Sequence, residues 1–292
     1  MPELPEVETI RRQLDPELRG RAIRELEILD PRWSRPLPPE QVAGAVQGRR
    51  INGLERRGKY LLLRLDGGQI LVMHLRMTGN LVLVTPEGEQ RSERFLRARL
   101  LLDDGSELRF TDARRFGEGF VLDERGLEER FQGRLGVEPL SEEFTPEQLG
   151  ELAAGRTAPL KSFLLNQAGI AGIGNIYADE ALFRARLHPL SPAGSMREPH
   201  LEALHEGVVE ALLAGIEWGG ASIDDYRDAT GAEGSMQDEF LVHTREGKPC
   251  FVCGTPIRRI VVGGRSTYFC PHDQVRLRRR RRAGRKKPRA RP

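Results

Sequence analysis

The sequence predicts an α+β chain of several domains: an antiparallel β-sandwich behind an amino-terminal helix, a helical domain, a small metal-bound hairpin and a basic tail. Three observations predict it. Residues 22–122 run as short alternating or wholly apolar stretches (AIRELEIL, KYLLLRL, QILVMHL, NLVLV, RARLLL, ELRF and GFVL) broken by Asp66-Gly67-Gly68 and Asp104-Gly105. That is the pattern of antiparallel strands joined by tight turns. Residues 145–226 change to helical spacing. Finally, Cys250-Phe-Val-Cys253 with Cys270 further on has the spacing of two tight turns that pin a hairpin through a metal.

Taken in order, residues 7–18 carry apolar positions at helical spacing, with Glu6 and Glu8 in the first turn, where the helix dipole favours acids. The strands follow to Leu122. Thr145-Pro146 reads as an N-cap with proline at the first helical position, and Pro159 opens another helix. ADEALFRARL after Gly174-Asn175 makes a third helix and LEALHEGVVEALLAGI a fourth. From Arg276 to Pro292 there are eleven Lys or Arg and no acid, a composition that cannot bury a core and predicts disorder.

Charge divides the same way. The chain of 292 residues has a formal net charge of +3, yet the first 275 residues hold 35 basic and 43 acidic side chains, a net of −8. The basicity therefore belongs to the tail, which is suited to nucleic acid. No apolar stretch approaches the roughly 20 residues of a membrane helix, and MPELPEVET has no apolar segment of a secretory signal. Three cysteines, two of them in one CxxC, argue against a disulfide framework and for a reducing compartment. A soluble, cytoplasmic, nucleoid-associated monomer is expected.

Chemistry concentrates at three places. Removal of Met1 would expose Pro2 as a secondary amine. An α-amino group titrates near ~7.7–8.0 against ~10.4 for lysine, so far more of it is neutral and nucleophilic at pH 7. Such an amine can attack a sugar C1′ and collapse to an iminium, with Glu3 and Glu6 beside it as acids or bases. Cys250, Cys253 and Cys270 make three ligands of a zinc site, and His272 or Asp273 the fourth. Gly172 and Gly174 precede a helix, where backbone N–H groups can approach a phosphate.

The motifs PELPEVET, Arg57-Gly58-Lys59-Tyr60, His74-Leu75-Arg76-Met77-Thr78-Gly79, Asp112-Ala-Arg114-Arg115-Phe116-Gly117, Gly172-Ile-Gly174-Asn175-Ile-Tyr177 and Gly264-Arg265-Ser-Thr-Tyr-Phe-Cys270 occur in that order. Together they resemble the formamidopyrimidine-DNA glycosylase family across about residues 2–275. The resemblance implies a sandwich catalytic domain at 2–135, a helix-two-turn-helix DNA-binding domain at 136–240 and a zinc-finger hairpin at 241–275, with the tail at 276–292. It implies duplex DNA carrying oxidised or abasic sites as partner and one structural zinc ion per chain. The implied activity is excision of oxidised purines such as 8-oxoguanine through a Schiff base, followed by β,δ-elimination.

Residue by residue, the resemblance makes Pro2 the nucleophile, Glu3 the acid that opens the sugar and Glu6 its support. Lys59 would meet a phosphate and assist excision. His74, Asn175 and Arg265 would pinch the backbone around the flipped nucleotide, which places Arg265 beside the catalytic group. Met77, Arg114 and Phe116 would fill the gap left in the duplex. Excision from a duplex does require flipping, a wedge and cations on a bent backbone. Read singly, His74 and Met77 are core residues, Phe116 is a packed aromatic and Lys59 a solvated strand end; only their joint register reverses this.

The chain departs from the family pattern twice. Arg76 stands where the family usually has glycine, and the segment 231–238, GAEGSMQD, lacks an aromatic near Ser235 or Met236. Two alternatives stay open: an endonuclease VIII-like enzyme for oxidised pyrimidines, against which Leu4 stands, and a non-catalytic DNA-binding paralogue.

Overall fold

The computed structural model describes residues 1–87, 94–223 and 225–278. The predicted disordered tail lies outside the described residues from position 279 onward. Helix α1 (Leu4–Leu18) opens the chain, followed by β1 (Ile23–Ile28), α2 (Pro39–Val46), β2 (Ile51–Arg57), β3 (Tyr60–Leu65), β4 (Ile70–His74), β5 (Gly79–Val84), β6 (Leu96–Leu102), β7 (Glu107–Asp112), β8 (Glu118–Leu122) and α3 (Glu124–Phe131). Then come α4 (Pro146–Ala153), α5 (Leu160–Leu164), α6 (Asn175–Arg184), α7 (Glu198–Glu217) and the hairpin β9 (Arg258–Val262) to β10 (Arg265–Phe269). Among the described residues no helix is long and apolar enough to cross a membrane.

The strands form two antiparallel four-stranded sheets, β1-β6-β7-β5 and β2-β3-β4-β8. Their alternation is plain in β6, where every second residue from Leu96 to Leu102 is buried. Strand β4 is buried at all five residues, and it lies in the middle of its sheet between β3 and β8. Leu54, Leu61, Leu63, Leu71 and Met73 meet Leu81, Leu100, Leu108 and Phe110 in one core between the sheets.

Helix α1 starts three residues earlier than its apolar spacing predicts. Proline at the first turn costs nothing there, because that N–H has no helical partner in any case. The early start has a consequence. Val7, Ile10, Leu14 and Leu18 enter the sandwich core, whereas Leu4 enters the core of the helical half beside Ile173, Tyr177 and Ile216. One helix is shared by two cores.

In the helical half, Thr145 caps α4 by accepting the Gln148 N–H at 3.2 Å, and Pro146 stands at N1. Helix α7 buries Leu204, Gly207, Val208, Ala211, Leu212 and Gly215 along one stripe. Gly215 is required by packing: a Cβ there would lie 2.4 Å from the Tyr177 ring. The hairpin turns at Gly263-Gly264 (φ 57° and 76°), two consecutive left-handed residues, as the tightest hairpins need.

Candidate functional site

The amino terminus is where the two halves meet. Pro2, Glu3 and Glu6 are all buried. Glu6 reaches back to accept the Glu3 N–H at 2.7 Å, the return half of a capping box. Its other oxygen accepts the Tyr177 hydroxyl at 2.6 Å and the Ala221 N–H at 2.8 Å. Burial, and then the neighbouring Glu3 charge, push the Glu6 carboxyl above its ordinary range against these three donors.

The Glu3 carboxylate crosses to the other half of the molecule. It accepts the N–H of Ile176 at 3.0 Å and of Tyr177 at 3.4 Å, both in the first turn of α6, and so caps that helix from outside. This explains the glycines before α6. A Cβ on Gly174 would stand 2.2 Å from the Glu3 carboxyl carbon, and one on Gly172 would stand 2.6 Å from the Leu4 side chain. The Gly172–Gly174 run expected to approach a phosphate instead receives the first turn of α1.

A cavity of about 380 Å³ opens beside this junction, lined by Met1, Lys59, His74, Asn175 and Arg265, with Arg76, Arg130 and Arg134 around it. A second, of about 220 Å³, holds Met1, Glu3, Asn175, Tyr226, His243 and Arg265. Met1, the residue before Pro2, lines both, among cations gathered from an otherwise acidic body. Lys59 is buried at the β2–β3 turn. Burial pushes its ammonium below the usual lysine range, Glu3 and Glu6 oppose that, and Arg265 adds to it.

His74, at the end of β4, is packed edge-on against Tyr60 with centroids 4.4 Å apart. Burial first, then Arg76 and Lys59, push its pKa down to about 3. The Arg76 N–H donates to Nδ1 at 2.9 Å, so the neutral ring carries its proton on Nε2 as a donor. Arg76 has φ 54°, which accounts for the glycine usual at that position, and it is tied to Glu118 at 2.7 Å. Asn175 donates to the Ser266 carbonyl at 3.1 Å, while its own Oδ1 is buried without a partner. Arg265 begins β10, directly after the glycine turn.

Met77 and Phe116 are not core residues. They are 37% and 53% exposed, and the Arg114 guanidinium lies 4.8 Å from the Phe116 ring centre. The two loops that carry them share one buried carboxylate. Asp112 accepts the Thr78 hydroxyl and the Arg114 N–H (3.0 Å) at one oxygen, and the N–H groups of Phe116 (2.8 Å) and Gly117 (2.6 Å) at the other. Nothing in the sequence motifs assigns Asp112 this role. An acid closing a strand just before a turn with glycine was the available signal. The motifs also pass over the buried ion pair of Lys161 with Asp179 (2.6 Å), which is joined by His243 at 2.8 Å. Lys161 donates to the Asn175 carbonyl as well, at 2.6 Å.

At the finger, one ligand atom from each of Cys250, Cys253, Cys270 and Asp273 lies within 4.8 Å of the others. This donor set fits tetrahedral zinc, and the metal would cross-link the two turns. Of the two alternatives for the fourth ligand, Asp273 joins this cluster, while the His272 side chain is 71% exposed against 14% for Asp273. The turn after Cys270 brings the residue three positions on, not two, back to the sulfur, and the Asp273 N–H donates to the Cys270 Sγ at 3.4 Å.

Three family models match in succession: the formamidopyrimidine-DNA glycosylase N-terminal domain over residues 1–119, the H2TH domain of the same enzymes over 135–227, and a zinc finger found in FPG and IleRS over 247–275. The chain is 51% identical over 276 residues to the formamidopyrimidine-DNA glycosylase of Symbiobacterium thermophilum, covering 94% of this chain and 89% of that one. Identity to the Chloroflexus aurantiacus enzyme of the same name is 45%, over 95% and 99% of the two chains. Among solved structures, a Lactococcus lactis FPG variant bound to Fapy-dG DNA superposes with a TM-score of 0.86 at 35% identity, over 94% and 99% of the two chains. The Lactococcus lactis enzyme on abasic-site DNA gives 0.85 at 35%, over 93% and 99%, and on DNA with an oxidised pyrimidine 0.85 at 34%, over 94% and 99%.

Proposed function

Because this chain belongs to the formamidopyrimidine-DNA glycosylase family, we propose that Pro2, freed of Met1, is its nucleophile and that oxidised purines are its first substrates. The protein is a DNA glycosylase and AP lyase of base excision repair, it acts on damaged duplex DNA, and its finger holds structural zinc. The single observation that carries the Pro2 reading is that Met1, which directly precedes the buried Pro2–Glu3–Glu6 turn, lines the same cavity as Lys59, His74 and Arg265. Action on the nucleoid in the cytoplasm follows from the substrate.

The residues divide the work by position. Pro2 attacks C1′ and the bond from C1′ to the damaged base breaks, its electron pair leaving with the base, which takes a proton from water. The amine proton then passes through Glu3 to the ring oxygen as the C1′–oxygen bond of the ring opens and leaves an iminium. The two α6 N–H groups hold Glu3 in one place for that transfer. Lys59, Arg265 and the Nε2–H of His74 receive phosphates, while Asn175 keeps α6 against the finger hairpin. Met77, Arg114 and Phe116 fill the vacated space in the duplex.

Lys59 makes the test discriminating, because its lowered pKa puts a second reactive amine in the same cavity. Borohydride trapping on an 8-oxoguanine duplex should attach DNA to the amino-terminal peptide at Pro2. Attachment at Lys59, or undiminished trapping by Pro2→Gly, overturns the assignment. An oxidised-pyrimidine duplex run in parallel tests the second reading, which the pyrimidine-bound relative favours.

A further inference from the structure

A buried cluster that the excision step leaves unused stands at the second cavity. Asp179 of α6 is buried, and its two oxygens go to two partners: one accepts the Lys161 ammonium at 2.6 Å, the other meets His243 Nδ1 at 2.8 Å. The carboxylate and the ammonium already balance, so the ring shares the second oxygen as a neutral imidazole that donates its Nδ1–H. The lone pair is then on Nε2, across the ring, which has no hydrogen-bond partner among the described residues.

The ring is held still. Glu180, the next residue of α6, is also buried and accepts the N–H groups of Leu241 (3.0 Å), Val242 (3.0 Å) and His243 (2.9 Å). That fixes the backbone that carries the imidazole. Phe240 and Tyr268 pack edge-on against the ring, with centroids 5.3 and 5.1 Å away. Because Lys161 also bonds the Asn175 carbonyl, the first turn of α6, which holds Glu3, and the histidine hang from one buried charge pair. A carboxylate that sets the tautomer of an imidazole in this way leaves the far nitrogen ready to accept a proton.

His243 lines the second cavity with Met1, Glu3 and Arg265. Its titratable neighbours there are engaged or of the wrong charge: Glu3 accepts from α6, the Tyr226 hydroxyl donates to the Gly219 carbonyl at 3.1 Å, and Arg265 is a cation. Asp225, the remaining acid of that wall, is exposed. Strand cleavage after excision needs a base, because the iminium on Pro2 acidifies the hydrogens of C2′.

We propose that His243 is a further catalytic residue, the general base of the strand-cleaving step, with Asp179 as its positioning residue. The inference rests on the Pro2 reading above. Nε2 takes a proton from C2′, the C2′–H electron pair becomes the C2′–C3′ double bond, and the C3′–oxygen bond breaks with its pair going to the departing phosphate. The iminium at C1′ stays, conjugated to the new double bond. Base release comes earlier and uses Glu3, so the two steps depend on different side chains.

His243→Asn keeps a donor for Asp179 and removes Nε2. On an 8-oxoguanine duplex it should release the base at the parental rate, read as breaks made by later alkali, while direct strand cleavage falls about a hundredfold, as on loss of a positioned general base. Borohydride trapping on an abasic duplex should persist, because the iminium still forms. In His243→Ala, imidazole added to the buffer should restore cleavage at an unchanged Tm. Equal falls in base release, trapping and cleavage would overturn the proposal: with a salt slope of binding reduced by about one they would make His243 a phosphate contact, and with a lowered Tm a structural residue. Unchanged cleavage in His243→Asn, or its loss in Asp225→Asn instead, would overturn it as well. Wild-type protein that releases the base but traps no DNA at Pro2 would overturn the Pro2 reading itself, and this inference with it.

Discussion

The carboxylate of Glu3 caps α6 from the neighbouring half of the molecule, 3.0 Å from the Ile176 N–H. The group proposed to move a proton is also the group that fixes how α1 meets α6. Gly174→Ala, whose Cβ would press on the Glu3 carboxyl carbon at 2.2 Å, should cost about 1–3 kcal/mol of stability, as overpacked sites do. It should also slow excision, because Glu3 must leave its place. Glu3→Gln should abolish excision and spare affinity for lesion duplexes, since the phosphate contacts are untouched. Single-turnover rates and binding isotherms on one duplex check both, and loss of affinity with turnover kept would reverse the roles.

His74 makes an acid-sensitive contribution to stability. Its folded pKa of about 3 lies below the ordinary 6.5, so between those values the unfolded chain binds the extra proton. Stability is whole above about pH 6.5 and is lost as pH falls toward 3, by at most about 1.4 kcal/mol per unit. In His74→Gln, denaturant titrations from pH 7 to 4 should show a flatter decline. The pH–rate profile of the parent protein should have no limb belonging to His74.

Asp112 should control duplex cleavage without touching DNA. Asp112→Asn keeps one oxygen and turns an NH2 either toward the Thr78 hydroxyl and the Arg114 N–H or toward the N–H groups of Phe116 and Gly117, so at least one backbone donor is left unmatched. Hydrogen bonds to a charged group are worth roughly 1.5–3 kcal/mol, so a loss of about that size is expected in urea unfolding. Excision from a duplex should fall more than excision from a single strand, where no wedge is needed. Equal falls would show that Asp112 supports the sandwich in general.

The finger's fourth ligand can be read from metal content. Asp273→Ala should reduce bound zinc and His272→Ala should leave it unchanged, while Asp273→Cys should hold zinc more firmly because thiolate suits the ion better. Zinc retained by Asp273→Ala and lost by His272→Ala would restore the histidine.

Much of this was legible beforehand, for reasons that differ by residue. The strands announced themselves by alternation, and the helices from Thr145 onward by caps and spacing. Pro2, Glu3 and Lys59 become candidates through the joint register of short motifs. What stayed hidden were contacts between distant segments. Nothing near Glu3 says that α6 will present its N–H groups to it. His272 against Asp273 was a question of turn geometry, which ligand preference could not answer.

The exposed Met77 and Phe116 also govern how the protein behaves when no DNA is present. Met77 and Phe116 hold apolar surface in water with only the Arg114 guanidinium laid over one ring. Salts that strengthen apolar association while screening that one charge should drive copies together through these prongs, and a short duplex should disperse them. The side chains proposed to part a base stack thus make the free form of the enzyme the one that needs protecting in storage.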